Sequence, residues 1–331
     1  MRRRISVLGL RAVAALAAIA FVNLAVSAQA RGVVSAASAG VPPVGPGVVT
    51  ILHVPSADHD LPVRDVYVYR PGVPEGTVLP VLYMLHGYPG HPPALMRWLT
   101  PALDAAFANG ARPFVVAVPD GNGKAHPDTE WADSVDGRTL VETSLLTKVL
   151  PAVEGATPLP AGMRAIGGFS MGGYGAANLG LRHPDVFGQI TAISGYYHTD
   201  DTSAMFAGVP AVVAANTPNA MIQAATGRRI QLIESTSESD RLIKGQAADF
   251  AGRLRACRCA AAVDMRLDAG DHDIDFVAAE TPNLVAFLDA GWWQGAVSSA
   301  GSGAGSGSGA GSRSRAGSGS ASFAVRIPAR G

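Results

Sequence analysis

A short glycine-rich segment in the middle of the chain constrains its fold more than any other feature. Residues 166–176 read Ile-Gly-Gly-Phe-Ser-Met-Gly-Gly-Tyr-Gly-Ala and place Ser170 in a Gly-x-Ser-x-Gly pattern. An apolar run, 163–166, precedes it, and a helical pattern of small residues, 174–181, follows. A serine at the apex of such a tight strand-to-helix turn has strained backbone angles, and flanking glycines avoid collisions with the neighbouring elements. The pattern predicts a nucleophile elbow that exposes the Ser170 hydroxyl, with a glycine-rich connector as the alternative.

The elbow needs two partners, because a serine hydroxyl is a weak nucleophile until a base takes its proton and a third group orients that base. In folds with this elbow, the serine, the acid and the histidine follow one another along the chain, each after a strand. A strand pattern ending at residue 267 is followed by Asp-Ala-Gly-Asp-His-Asp, which makes His272 the candidate base. The acid is expected in the polar loop 235–240, where Asp240 and Glu238 are both candidates. A solvated acidic loop is the alternative for both.

The negative charge that develops on a substrate oxygen needs backbone donors. The amide of Met171, at the start of the predicted helix, is the first candidate. A buried-strand run over 80–85 breaks at a His-Gly-Tyr-Pro-Gly turn, and a glycine-bearing turn at the carboxyl end of a strand lets the backbone approach a ligand closely. We therefore predict the amide of Tyr88 as the second oxyanion donor and place His86 and Gly87 in the substrate-binding site. An ordinary strand-to-helix turn is the alternative.

These segments together resemble a known family. The motifs occur in the order Leu85–Gly87, Val118–Gly121, Glu130–Ser134, Gly167–Ala176, His183–Phe187, Ser194–Gly195 and Gly270–Asp273. Across roughly residues 49–290 the set resembles the esterase D-like family of α/β-hydrolases, which includes S-formylglutathione hydrolases, enterochelin esterases, feruloyl and acetylxylan esterases, and mycobacterial mycolyltransferases. The resemblance implies Ser170 as nucleophile, His272 as base, an acid within 238–240 and the two amides as oxyanion donors. Many relatives carry a compact Gly-x-x-Asp in the acid loop, which this chain lacks.

The substrate is expected to be a neutral ester. Trp131 lies in a polar loop after a predicted strand, at the edge of the sheet where sites are built in this architecture, so it is a candidate substrate-binding residue. A tryptophan packed over the edge of the core is the alternative. Apolar walls with few fixed charges favour a neutral small-molecule, lipid or sugar ester.

Three functions follow from these residues. The first is a secreted serine esterase that works through an acyl-enzyme. An envelope acyltransferase that uses the same triad and a catalytically inactive binding module are the alternatives. No cofactor and no metal site is expected, and the oligomeric state is left open. With 26 basic and 26 acidic residues, the chain has no excess positive charge to attract a polyanion, so nucleic-acid binding is disfavoured.

The ends of the chain differ in composition from its middle. Residues 1–30 combine a basic start, an apolar stretch and an Ala-Gln-Ala cleavage site, which predicts a secretion signal and a secreted, extracellular or cell-envelope protein. The apolar stretch of about fifteen residues is short for a membrane span of about twenty, so no stable span is expected after cleavage. Residues 31–47 read as a flexible lead-in, and 293–331 as a disordered tail rich in Gly, Ser and Ala.

The middle of the chain, 48–292, is predicted to be one catalytic domain. Eight strand-like runs alternate with helical patterns, which indicates an α/β-hydrolase fold with a mainly parallel central sheet and helices on both faces. The two earliest strands lack an intervening helix and are expected to form an antiparallel edge hairpin. Residues 196–226 do not fit the alternation and are a candidate lid. Cys257 and Cys259 are close enough for a small strained disulfide ring, but two reduced cysteines fit the sequence equally well.

Overall fold

Eight strands form a single sheet in the computed structural model, which describes residues 44–199 and 203–301, without the side chains of 293–301. The strands are β1 (Gly45–Pro55), β2 (Val63–Gly72), β3 (Val81–Leu85), β4 (Val115–Pro119), β5 (Arg164–Phe169), β6 (Gln189–Ile193), β7 (Arg229–Ser235) and β8 (Ala262–Asp268). They lie side by side in the order β1-β2-β4-β3-β5-β6-β7-β8. The predicted signal peptide and the tail beyond residue 301 lie outside the described residues.

The sheet is mainly parallel. The six strands β4, β3, β5, β6, β7 and β8 run parallel to one another. β1 and β2 form an antiparallel hairpin, and β2 is also antiparallel to β4. β3, β4 and β6 are buried along their whole length, as an apolar strand covered on both faces should be. The predicted parallel sheet with an antiparallel edge hairpin is confirmed.

Helices cover both faces of the sheet. They are α1 (Pro92–Ala108), α2 (Val141–Ser144), α3 (Leu150–Glu154), α4 (Met171–Arg182), α5 (Pro210–Ala215), α6 (Arg241–Cys257) and α7 (Ile274–Gly301), and a π-helical turn (Leu145–Val149) joins α2 to α3. Successive side chains of β3 point to opposite faces, so Tyr83 packs in the core beneath α4 and α6, whereas Leu82 and Met84 pack in the core beneath α1 and α7. The fold is the predicted α/β architecture.

Two predicted boundaries differ from the structure. β1 begins at Gly45, inside the segment interpreted as lead-in, because pairing with β2 extends to Gly72 across a register irregularity. α7 continues to Gly301, past the predicted domain end at 292. None of the helices in the described part of the chain is long and apolar enough to cross a membrane.

The region that breaks the alternation, 196–226, is held against the start of α4. Its described part contains α5 and two 3-10 turns, Pro218–Ala220 and Ile222–Ala225. The hydroxyl of Tyr174 donates to the carbonyl oxygen of Asn216 at 2.6 Å.

At the end of α6, Cys257 and Cys259 are joined in a disulfide, which resolves the alternative that the sequence left open.

Candidate active site

The strand-to-helix turn around Ser170 has the backbone conformation that its glycines predict. Ser170 lies between β5 and α4 with φ 57° and ψ −119°, a left-handed conformation that is strained for a residue with a side chain. A Cβ on Gly168 would lie 2.0 Å from the carbonyl oxygen of Gly172, and one on Gly172 would lie 2.1 Å from that of Leu85. Both positions therefore require glycine, and the turn they permit brings Ser170 against the end of β3.

The structure brings Ser170, His272 and Asp240 into one chain of contacts. Nε2 of His272 lies 2.8 Å from Oγ of Ser170, although the two residues are 102 positions apart. Nδ1 of the same imidazole lies 2.8 Å from Oδ1 of Asp240. The second contact has the length of a hydrogen bond but is not aligned with the Nδ1–H direction, and such misalignment is common in enzymes without bound substrate. The three groups have the order and spacing of a nucleophile, a base and an orienting acid.

Burial separates the two candidate acids. Asp240 is 1% exposed, and its other oxygen, Oδ2, accepts a hydrogen bond from Oγ of Ser235 at 2.5 Å. Glu238 lies two residues earlier in the same 3-10 turn, but it is exposed and is not in contact with the imidazole. A 3-10 turn directs successive side chains about a third of a turn apart, so only one of these carboxylates faces inward.

A second buried carboxyl group lies beside Asp240. Glu234, at the end of β7, is fully buried, and Oη of Tyr197 donates to its Oε1 at 3.1 Å. Burial raises the pKa of Glu234 well above its ordinary value, and the negative charge of Asp240 raises it further. Two buried carboxyl groups so close together favour a single negative charge, so we expect Glu234 to be neutral and Asp240 to carry the charge.

The His-Gly-Tyr-Pro-Gly turn after β3 lies against the serine, as predicted. A Cβ on Gly87 would lie 3.1 Å from Cβ of Ser170, which shows how closely the backbone of the turn approaches the nucleophile. Tyr88 follows directly, and its bond to Pro89 is cis. Met171 is the first residue of α4, where the amides have no partner within the helix. The two amides predicted as oxyanion donors therefore belong to segments on either side of Ser170.

Trp131 does not line the site, contrary to the sequence-based interpretation. Its side chain is fully buried, and its Nε1 donates to the carbonyl oxygen of His86 at 3.0 Å. A Cβ on Gly121 or Gly175 would collide with the indole, so both glycines make room for it. Trp131 is thus a packing residue beneath the turn, the alternative that the sequence left open.

An open cavity of about 340 Å³ adjoins Ser170 and His272. Its lining residues are His86, Gly87, Tyr88, Pro89, Gly90, His91, Ala94, Leu95, Phe169, Ser170, His272 and Ile274. His86 and Gly87, predicted to bind substrate, are among them, although the side chain of His86 is only 2% exposed. The lining contains neither lysine nor arginine, and none of the described residues of 196–226 contributes to it.

Sequence reasoning missed two residues that contact the triad, one at the base and one at the acid. The ring of Phe169 lies 4.9 Å from the imidazole of His272 and also lines the cavity. Ser235 binds the acid directly. Phe169 occupies the variable position before the serine, and Ser235 is one of several serines in a polar loop, so neither carries a local signal.

In the described ranges, 44–199 and 203–301, no group of His, Cys, Asp or Glu side chains is arranged to hold a metal ion.

Comparison with known proteins gives a family and several structural neighbours. Residues 63–304 match a protein-family model described as "Esterase: Putative esterase". The comparison with curated proteins gave no match. A ferulic acid esterase is 22% identical with a TM-score of 0.59, over 73% of this chain and 97% of the other. An S-formylglutathione hydrolase from Agrobacterium tumefaciens is 15% identical with a TM-score of 0.62, over 75% and 96%.

A third neighbour is MPT51 from Mycobacterium tuberculosis, which is 18% identical with a TM-score of 0.58 over 74% of this chain and 98% of the other. At such low identities these likenesses show the α/β-hydrolase fold alone. Only the family match bears on chemistry.

Proposed function

We propose that this chain, which belongs to the esterase family matched over residues 63–304, hydrolyses carboxylic esters with Ser170 as nucleophile, His272 as base and Asp240 as acid. Membership in that family makes the protein an esterase-type serine hydrolase. The observation that carries the proposed mechanism is the continuous contact from Oγ of Ser170 through the imidazole to Asp240, with 2.8 Å on each side of the ring.

In the first half-reaction Ser170 attacks the ester carbonyl carbon. The Oγ–H proton passes to Nε2 of His272 as the Oγ–carbon bond forms, and the carbonyl electron pair moves onto oxygen. Asp240 keeps Nδ1 protonated and stabilises the imidazolium. When the tetrahedral intermediate collapses, the bond to the leaving oxygen breaks and Nε2 returns its proton to that oxygen. An alcohol leaves and an acyl-enzyme remains.

In the second half-reaction water takes the place of the alcohol. One of its protons passes to Nε2 of His272 while its oxygen attacks the acyl carbon, and collapse breaks the bond to Oγ of Ser170 as Nε2 returns the proton to Oγ. A carboxylic acid leaves and the serine is regenerated. In both halves, we assign the amides of Met171 and Tyr88 as donors to the oxyanion, and loss of one such donor typically lowers kcat about 10²–10³-fold.

The lining of the cavity indicates the kind of ester. Leu95, Phe169 and Ile274 are apolar, and the absence of lysine and arginine from the lining leaves no permanent positive charge to pair with a carboxylate or phosphate on the substrate. We therefore propose a neutral ester as substrate. The N-terminal sequence, with its basic start and Ala-Gln-Ala site, supports export of the enzyme.

Active-site labelling and turnover test this proposal together. Purified protein is treated with a fluorophosphonate and assayed with p-nitrophenyl butyrate, with and without glycerol. We expect stoichiometric labelling, release of butyrate, and loss of both in Ser170→Ala. Ser239→Ala, which alters an exposed serine outside the contact chain, is the matched control. Absence of labelling in the wild type would refute catalysis, and glyceryl ester formation faster than hydrolysis would indicate an acyltransferase instead.

A further inference from the structure

The imidazole of His86 has a defined tautomer because both of its nitrogens are engaged. The backbone N–H of Gly121 donates to Nε2 at 2.9 Å. An amide can only donate, so Nε2 must be the unprotonated nitrogen and the ring proton must be on Nδ1. Nδ1 lies 2.8 Å from the carbonyl oxygen of Gly87, which can only accept. The contact with Gly121 excludes a proton on Nε2, the contact with Gly87 requires one on Nδ1, and together they define the neutral Nδ1–H tautomer.

A carboxylate near Nε2 does not change this assignment. Oδ1 of Asp120 is 3.5 Å from Nε2, which is too long for a hydrogen bond, and it already accepts from the backbone amide and the side-chain amide of Asn122 at 3.0 and 2.8 Å. A proton on Nε2 would also point at the N–H of Gly121. His86 therefore accepts a hydrogen bond from the backbone of Gly121 and donates one to the backbone of Gly87, and these two residues lie in different loops.

The bond to Gly87 determines where the next amide points. The carbonyl of Gly87 and the N–H of Tyr88 belong to the same peptide plane and point in opposite directions when that peptide is trans. The carbonyl faces Nδ1 of His86 and also the position of Gly90, where an added Cβ would lie 2.4 Å from it. The N–H of Tyr88 is thereby directed to the other side of the turn, and Gly87 lies against Ser170.

We propose that His86 is a positioning residue which fixes the Gly87–Tyr88 peptide plane so that the amide of Tyr88 faces the oxyanion. This inference rests on the proposed function, because it assigns a task within that site. His86 does not touch the reacting atoms in this role, and its buried side chain is consistent with it. Trp131 restrains His86 further, since its indole donates a hydrogen bond to the carbonyl oxygen of His86 and packs edge-on against the imidazole, with 5.2 Å between the ring centroids.

Two substitutions of similar size isolate the Nδ1–H donor. In His86→Asn the amide nitrogen takes the place of Nδ1 and keeps a donor for Gly87, whereas His86→Leu has none. Both remove the imidazole and leave the amide of Gly121 without its acceptor, so they share this part of the cost in stability, and thermal unfolding of each variant measures the remainder. Leu103→Ala, on the buried face of α1, is a further control for general destabilisation.

The measurements are kcat and KM with p-nitrophenyl butyrate, and the affinity of a trifluoromethyl ketone, which forms an oxyanion on reaction with the serine. We expect His86→Leu to lose about 10²–10³-fold in kcat, the cost of one oxyanion donor, with KM little changed and ketone affinity weakened in parallel. His86→Asn should stay within about tenfold of the wild type, because it retains the donor.

Equal kcat and equal ketone affinity in the two folded variants would overturn the role of His86. Should His86→Leu fail to fold, long-range ¹H–¹⁵N NMR of the wild type still decides the matter, since a proton on Nε2 instead of Nδ1 would overturn it. The outcomes separate the two proposals. A wild-type enzyme without turnover or labelling contradicts the proposed function, whereas wild-type turnover with indistinguishable variants contradicts only the role of His86.

Discussion

Replacing Asp240 with asparagine tests the acid of the triad with little change in shape. The side chain is buried, with Oδ1 at Nδ1 of His272 and Oδ2 at the hydroxyl of Ser235. Asparagine offers an NH₂ group to one of these partners. Facing His272, that group favours the tautomer whose proton is on Nε2, and such an imidazole cannot accept the proton of Ser170.

The expected loss follows from the distance. A carboxylate and an imidazolium whose closest atoms are 2.8 Å apart attract each other by about 6 kcal/mol at an effective dielectric constant of about 20. This is a gross value, because holding Asp240 charged in its buried site offsets part of it. Asparagine in place of the aspartate of a Ser-His-Asp triad lowers kcat about 10⁴-fold, which is about 5 kcal/mol. We therefore expect Asp240→Asn to lose about 10³–10⁴-fold in kcat.

Glu238→Gln is the matched control, because it makes the same chemical change on an exposed side chain of the same turn. We expect it to stay within about twofold of the wild type, since exposed charges contribute little. Both variants are assayed for kcat with p-nitrophenyl butyrate, and their thermal unfolding shows that they are folded. Small and equal losses in the two variants would show that the third triad member lies elsewhere.

Three further predictions concern stability. Gly172→Ala should lower both the free energy of unfolding, by about 1–3 kcal/mol, and labelling by fluorophosphonate, because its Cβ would lie 2.1 Å from the carbonyl oxygen of Leu85; wild-type values would contradict the steric account of the elbow. Gly252 lies on the exposed face in the middle of α6, with open space around it, so Gly252→Ala should raise the free energy of unfolding measured in urea by up to about 1 kcal/mol. Burial raises the pKa of Glu234 in the folded state above its ordinary value of 4.5, so the folded state holds the proton more tightly than the unfolded state does. The contribution of Glu234 to the free energy of unfolding is therefore largest at low pH. It is lost as the pH rises from about 4.5 through the raised pKa, by at most about 1.4 kcal/mol per pH unit. Glu234→Gln should therefore flatten the decline in unfolding free energy between pH 5 and 8, and an unchanged slope would show that Glu234 is not held protonated.

Local sequence patterns were sufficient for the features that short-range sterics control. The glycines around Ser170 predicted the strained turn, because a side chain at Gly168 collides with the backbone of Gly172, only a few residues away. The alternation of strands and helices predicted the sheet, since continuous apolar runs can be buried only between two helical layers. The position of His272 followed from the same order of elements.

The roles of polar and aromatic side chains depended on contacts across the fold. Asp240 and Glu238 lie two residues apart in one polar loop, and only the folded 3-10 turn buries Asp240 and exposes Glu238. Trp131 was a candidate wall of the pocket, but it lies beneath the turn after β3, where Gly121 and Gly175, on either side of it in the chain, leave room for the indole.

What the sequence alone determined is therefore the strained serine turn, the order of the strands and helices that carry the candidate residues, and the type of chemistry they serve. Only the tertiary structure decided which carboxylate contacts His272 and that Glu234 is buried beside that carboxylate. It also decided that His86 forms hydrogen bonds with both Gly121 and Gly87. The physical reason is range. Backbone sterics at the serine turn act largely between neighbours in the chain, whereas burial and hydrogen-bond partners depend on residues that folding brings together, such as His86 and Gly121, 35 positions apart, and Ser170 and His272, 102 positions apart.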